Sequence, residues 1–241
     1  LGNMKTQWIE RVKVGCARLW PHPLAVGKRE MLISSVGAGL GLMLAGWISH
    51  FILGEVNLWF IAPMGASAVL LFGVPNSPLA QPWSIVGGNA LAATVGVSAG
   101  LLIPDPGLAC GIAAAVAIGL MFKLRCLHPP GGAVALTAIL GGPGIHQMGY
   151  HFVLYPVLLN SVLLAALAIL FNNLAGRRYP HALAPAEAKP ANLPIDAVSI
   201  TRGDLHEALM EGDLFDIDED DLQELLLRAE QLAHQRQSKT A

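Results

Sequence analysis

Side chains that could do chemistry are sparse through the middle of this sequence, and they gather where helices ought to break. Leu127-His128-Pro129-Pro130-Gly131-Gly132 leads into the apolar run Ala133–Leu140, which carries Thr137. A second lead-in, Pro63-Met64-Gly65-Ala66-Ser67, opens the run Ala68–Phe72. Proline costs little in a first helical turn, because the N–H it lacks would be unpaired there. Glycine lets a backbone approach a small ligand closely. A helix start also presents unpaired N–H groups and about +0.5 elementary charge. Two such starts can hold a small anion without a buried Lys or Arg, whose insertion into a bilayer is expensive. Ser67, Thr137, Asn89 and Asn160 would add hydroxyl and amide contacts, and His128 a proton-dependent positive charge, since imidazole titrates near neutrality. A cation fits less well, because no carboxylate falls within the apolar runs. The candidate binding set is therefore Pro63, Gly65, Ala66, Ser67, Asn89, His128, Pro129, Pro130, Gly131, Gly132, Thr137 and Asn160.

Each of these has a plainer reading that stands beside the first. The prolines can serve simply as helix kinks, and the asparagines as helix-to-helix bonds. Ser67 and Thr137 can bond back to their own helix, and His128 can tether its loop. His50, His146 and His151 sit near turns and read as interfacial.

The elements that must position these residues follow from composition. Of 241 residues, 54% are hydrophobic and 13% charged, which describes an integral membrane protein. Net charge is −2, and no basic stripe with interleaved aromatics points to nucleic acid. Cys16, Cys110 and Cys126 lack metal-ligand spacing, so neither a metal site nor a disulfide framework is expected. No nucleophile–base pair, metal set or phosphate loop appears, so no catalytic residue, cofactor or enzymatic activity is expected. Residues 1–30 hold six basic side chains against Glu10 and Glu30 and read either as an amphipathic surface segment or as a solvated basic leader. No cleavable signal peptide is expected there, and the first span would act as the insertion signal.

Long apolar spans are expected over Met31–Leu53, Trp83–Ile103, Leu108–Phe122 and His151–Asn172, with a shorter broken piece at Leu58–Gly73. Hard turns are expected at 75–82, 104–107 and 141–144. The run Ala133–Leu140 makes about 12 Å of helix, roughly 20 Å counted from Pro129, short of a hydrocarbon core of about 30 Å. Broken backbone at that depth is tolerated only where protein or a cavity surrounds it. The order span, broken short helix, span therefore occurs twice, in 31–104 and 107–176. Pro63-Met64-Gly65 aligns with Pro129-Pro130-Gly131, and Gly88-Asn89-Ala90 with Leu159-Asn160-Ser161. If the short helices cross, each repeat crosses three times, and Lys123, Arg125, Arg177 and Arg178 fall on the side of the basic N-terminus. The positive-inside rule prefers this to a re-entrant arrangement, and an odd repeat is necessarily inverted. The two helix starts would then converge at mid-bilayer around Gly65 and Gly131-Gly132.

The residues 62–72, Pro78-Leu79-Ala80-Gln81-Pro82-Trp83 and 127–136 resemble the HPP family of integral membrane proteins. Asn160-Ser161, Phe171-Asn172-Asn173 and Arg177-Arg178-Tyr179-Pro180 fit the same pattern, so the likeness covers roughly residues 25–181. The resemblance implies a small multi-span protein, commonly described as four-spanning, some of whose relatives are associated with nitrite transport. Many relatives continue into paired CBS domains. No such module follows within these residues, so nucleotide gating is not carried over.

Residues 179–199 read as a linker and 200–241 as an acidic helical tail on the cytoplasmic side. Its aspartates 216, 218, 220 and 221 lack calcium-loop spacing, and its leucine stripe suggests a homo-oligomer contact. The expectation is thus an all-α membrane protein in a bacterial inner membrane, both termini cytoplasmic, of two inverted three-element repeats and a tail. Its function would be passage of a small monovalent anion such as nitrite. The alternative is a non-transport sensor or scaffold signalling through the tail.

Overall fold

The computed structural model describes residues 27–53 and 61–181, together with Leu226. The basic leader, the linker and all but one residue of the acidic tail lie outside the described residues, as do the expectations placed on them. Among the described residues every regular element is helical. Four helices are long and apolar enough to cross a membrane, and two shorter apolar helices accompany them.

The first long helix, α1, spans Lys28–Leu53. The short helix α2 covers Ile61–Ala68 and continues as a π-helical turn, Val69–Gly73. After a 3₁₀ turn at Pro78–Ala80 comes α3, Pro82–Leu102, with proline in its first turn as the expected break at 75–82 requires. Asp105 caps α4 (Pro106–Lys123): its carboxylate accepts the Leu108 N–H at 2.7 Å, which turns 104–107 into a helix start. The second short helix, α5, covers Pro130–Leu140. The expected turn at 141–144 holds more structure than foreseen, because Pro143 opens a further short helix, α6, Pro143–Met148. The last span starts as a π-helical stretch, Val153–Leu158, broken by extended backbone at Tyr155 before Pro156. It then continues as α7, Leu159–Leu174.

Side-chain bonds set the directions of these helices. Glu30 pairs with Arg177, so α1 starts where α7 ends. The Tyr179 hydroxyl donates to Ala80 O at 2.6 Å, and Trp83 Nε1 donates to Leu124 O at 3.1 Å, so α3 starts and α4 ends at that same face. Lys28, Arg29, Lys123, Arg125, Arg177 and Arg178 therefore share one basic face, while Asp105 lies at the other. A Cβ on Gly88 would meet His128, one on Gly96 would meet Ala135, and one on Gly100 would lie near Ile139. Hence α5 runs parallel to α3, and both glycines permit a backbone approach that any side chain would block. On Gly96 the added atom would sit 2.5 Å from Ala135 O.

The apolar interior divides into two groups. One joins α3, α4 and α5 through Ala92, Ala93, Ala113, Met121, Val134 and Ala138. The other joins α1, α2 and α7 through Ala45, Met64, Leu71, Phe72, Leu164 and Ala168. Large side chains such as Trp47, Phe51, Leu102, Phe122 and Leu174 remain exposed, as a lipid-facing surface demands. Each buried side chain of this class contributes about 1.5–3 kcal/mol relative to water. In lipid, where apolar contact is not driven by water, the closeness that Ala and Gly allow matters more.

Candidate functional site

His128 sits in the loop joining α4 to α5, packed against Gly88 of α3, and is fully buried. Its Nδ1 lies 3.0 Å from Leu79 O and its Nε2 2.8 Å from Ser67 Oγ. A carbonyl only accepts, so a hydrogen belongs on Nδ1; the Ser67 hydroxyl either donates to Nε2 or accepts from it while donating to Pro63 O at 3.3 Å. His128 ties the α5 lead-in to α2 and to the 78–80 turn.

The first turns of the two short helices lie beside each other. Ser67, well into α2, bonds to His128, which precedes α5. Pro63 and Met64, near the start of α2, line a cleft with Val134 and Thr137, which lie a turn or more into α5. The short helices therefore run side by side in opposite directions over their first turns, α2 towards the basic face and α5 away from it. A Cβ on Gly131 would meet Met121 Cε at 2.6 Å and Gly88 O at 3.2 Å, so this glycine serves packing against α3 and α4. Gly65 and Gly132 have no neighbour within 4 Å of such a position.

The remaining residues of the set scatter. Ala66 and Pro129 are exposed, and Pro130 is buried in the first turn of α5. Thr137 donates back to Ala133 O at 2.7 Å, although it also borders the cleft. The far wall of that cleft is Phe152, Pro156 and Val157, and its free volume, about 10 Å³, has room for about one water molecule.

Asn89 and Asn160 stand apart from all of these. Each is the eighth residue of its span, Pro82–Leu102 or Val153–Leu174, and each is fully buried. At 1.5 Å per residue that places them about 11 Å along, well inside a core of about 30 Å. Asn89 Nδ2 donates to Ser161 Oγ at 3.1 Å, which brings both amides to one level of the bundle. Ser98 Oγ lies 2.9 Å from Tyr150 OH further along, so α3 and α7 are antiparallel here. Among the described residues, Asn89 Oδ1 and both Asn160 Oδ1 and Nδ2 find no hydrogen-bond partner. Leaving such an atom unsatisfied costs on the order of 1–3 kcal/mol, so each of the three requires a reason. Ser161, the bridge, is outside the candidate set, though it stands in the Leu159-Asn160-Ser161 alignment that could have marked it.

A second polar cluster, also not foreseen, closes the basic face. The Arg177 guanidinium pairs with Glu30 and donates to Phe72 O at 2.9 Å, Asn172 Oδ1 at 3.0 Å and Ser34 Oγ at 3.0 Å. Asn172 Nδ2 donates to Leu71 O at 3.1 Å. Together they satisfy carbonyls freed where α2 unwinds, and they join α1, α2 and α7. A buried Arg beside two asparagines just past an uncharged span was the available sign. Nearby, a cleft of about 340 Å³ opens between Gln81, Trp83, Arg125 and His181.

These features can be set against known proteins. The profile of the HPP transmembrane region matches residues 23–180. A transmembrane protein of Dictyostelium discoideum is 39% identical over 127 residues, covering 50% of this chain and 44% of that protein. A second Dictyostelium transmembrane protein is 31% identical over 164 residues, 66% of this chain and 52% of its own length. The chain spans about half the length of the curated relatives it matches. No solved structure matches significantly. Both relatives come from Dictyostelium, so the expected bacterial source finds no support in them. With two-thirds of its length matched, covering all four long helices and both short ones, the chain belongs to the HPP family of transmembrane proteins.

Proposed function

We propose that this protein is a non-enzymatic transporter or channel for a small monovalent anion, with nitrite the leading substrate. The observation that carries the reading is the pair of buried, partly unbonded amides, Asn89 and Asn160, at one level of α3 and α7. Amide N–H groups can replace the hydration of a singly charged anion, and the spans contain no buried charge that would oppose or trap it. In this reading the helix triplets α1-α2-α3 and α4-α5-α7 are inverted repeats, with one asparagine from each meeting at the centre. Their third helices are exchanged between the two packed groups, which leaves the boundary between the groups as the route for solute. The basic face is cytoplasmic under the positive-inside rule, and its Lys and Arg side chains raise the local anion concentration.

The test is uptake by proteoliposomes of nitrite, formate, nitrate and chloride, each compared with protein-free vesicles. Nitrite uptake at least tenfold above background supports the reading. Uptake equal to background for all four probes ends it and leaves the sensor or scaffold alternative.

A further inference from the structure

We propose that the Asn89–Asn160–Ser161 site takes its solute as an uncharged, singly protonated small oxyacid, so that anion and proton cross together. This rests on the transport reading above and adds the protonation state in which the solute binds.

The argument is a count of donors and acceptors. Asn160 offers an N–H₂ group and a carbonyl oxygen, both unpartnered, and Asn89 has one unpartnered amide atom beside its bond to Ser161. The Asn89 amide can be turned over, with the Ser161 hydroxyl then donating to its oxygen, because the two orientations differ only in which atom faces Ser161. The site then presents two N–H₂ groups and one acceptor, Asn160 Oδ1. A bare anion can occupy the N–H₂ groups, but it sets a negative charge beside Asn160 Oδ1 and leaves that oxygen unbonded. A monobasic oxyacid brings one O–H for Asn160 Oδ1 and two or more oxygen lone pairs for the amide donors. All three unsatisfied atoms are then paired, and no charge enters a region where charge is costly.

Among the described residues, no protein group is positioned to supply a counter-charge or to hold the proton. Helices α2, α3 and α5 carry no Asp, Glu, Lys, Arg, His, Cys or Tyr. The last span contributes Tyr155 alone, nearly half exposed. His128, packed against α3 beside Asn89, has both ring nitrogens engaged. The proton is therefore bound to the anion in the water on one side and released in the water on the other.

Proteoliposomes containing a lumenal pH dye test this with nitrite, formate and nitrate as probes. The expected result is that nitrite and formate uptake above protein-free vesicles rises about tenfold for each unit the external pH falls. The lumen acidifies by one proton per anion, and valinomycin with potassium changes nothing. Nitrate, whose acid is strong, is not carried. Asn160→Leu loses the protein-dependent uptake while keeping its melting temperature, and Asn160→Ala serves if the leucine variant does not fold. Uptake that is independent of pH and accelerated by valinomycin overturns the inference and leaves anion transport standing. Unchanged uptake in the folded Asn160 variant overturns the site. No uptake of any probe overturns both the inference and the transport reading.

Discussion

Helix α7 carries two buried asparagines that live in opposite circumstances. Asn172, at the basic face, has its amide hydrogen on Leu71 O and its oxygen on Arg177. Asn160, twelve residues earlier and about 18 Å away along the helix, has neither. The same side chain thus serves two purposes. Where bonds are complete, the amide holds α2 and α7 together. Where they are missing, the proposed solute would complete them. Substitutions at the two ends of α7 are expected to separate stability from transport.

The largest loss of stability is expected at the complete end. Arg177→Met strands Glu30, Asn172 and Phe72 O, a change on the order of 3 kcal/mol for a pair of which Glu30 remains partly exposed. A fall in melting temperature in detergent reads it. Asn172→Leu leaves Leu71 O and part of Arg177 unpaired, and about 2 kcal/mol is expected.

An effect of intermediate size is expected at His128: His128→Ala leaves Leu79 O and the Ser67 hydroxyl without their partner, and a cost of about 2 kcal/mol, read as a lower melting temperature, is expected. The smallest effect on stability belongs to Asn160→Leu. It removes unsatisfied polar atoms at nearly constant volume and is expected to leave the melting point within about 1 kcal/mol of the wild type or to raise it.

Much of the fold was legible because its signals are local and strong. Uncharged runs marked the spans to within a few residues, although 104–107, read as a turn, also holds the start of α4. Asn89 and Asn160 could be singled out because Gly88-Asn89-Ala90 aligns with Leu159-Asn160-Ser161, one amide at a similar depth in each long span. What could not be read was how the short helices pass each other. Periodicity locates a helix start but not the neighbour it overlaps, and that depends on Gly88 and Gly96 admitting the 126–139 backbone against α3. The Arg177 clasp was hidden for a related reason. Its partners, Glu30 and Phe72, are more than a hundred residues away in sequence, and an arginine after a span looks like any positive-inside anchor.

The account turns on Asn160 being a solute contact and not a strut. Purified Asn160→Leu, shown to melt no lower than the wild type, is reconstituted and its nitrite uptake compared with wild type and protein-free vesicles. A fall of at least tenfold towards the protein-free rate is the predicted result. Wild-type uptake in that folded variant would contradict the central claim.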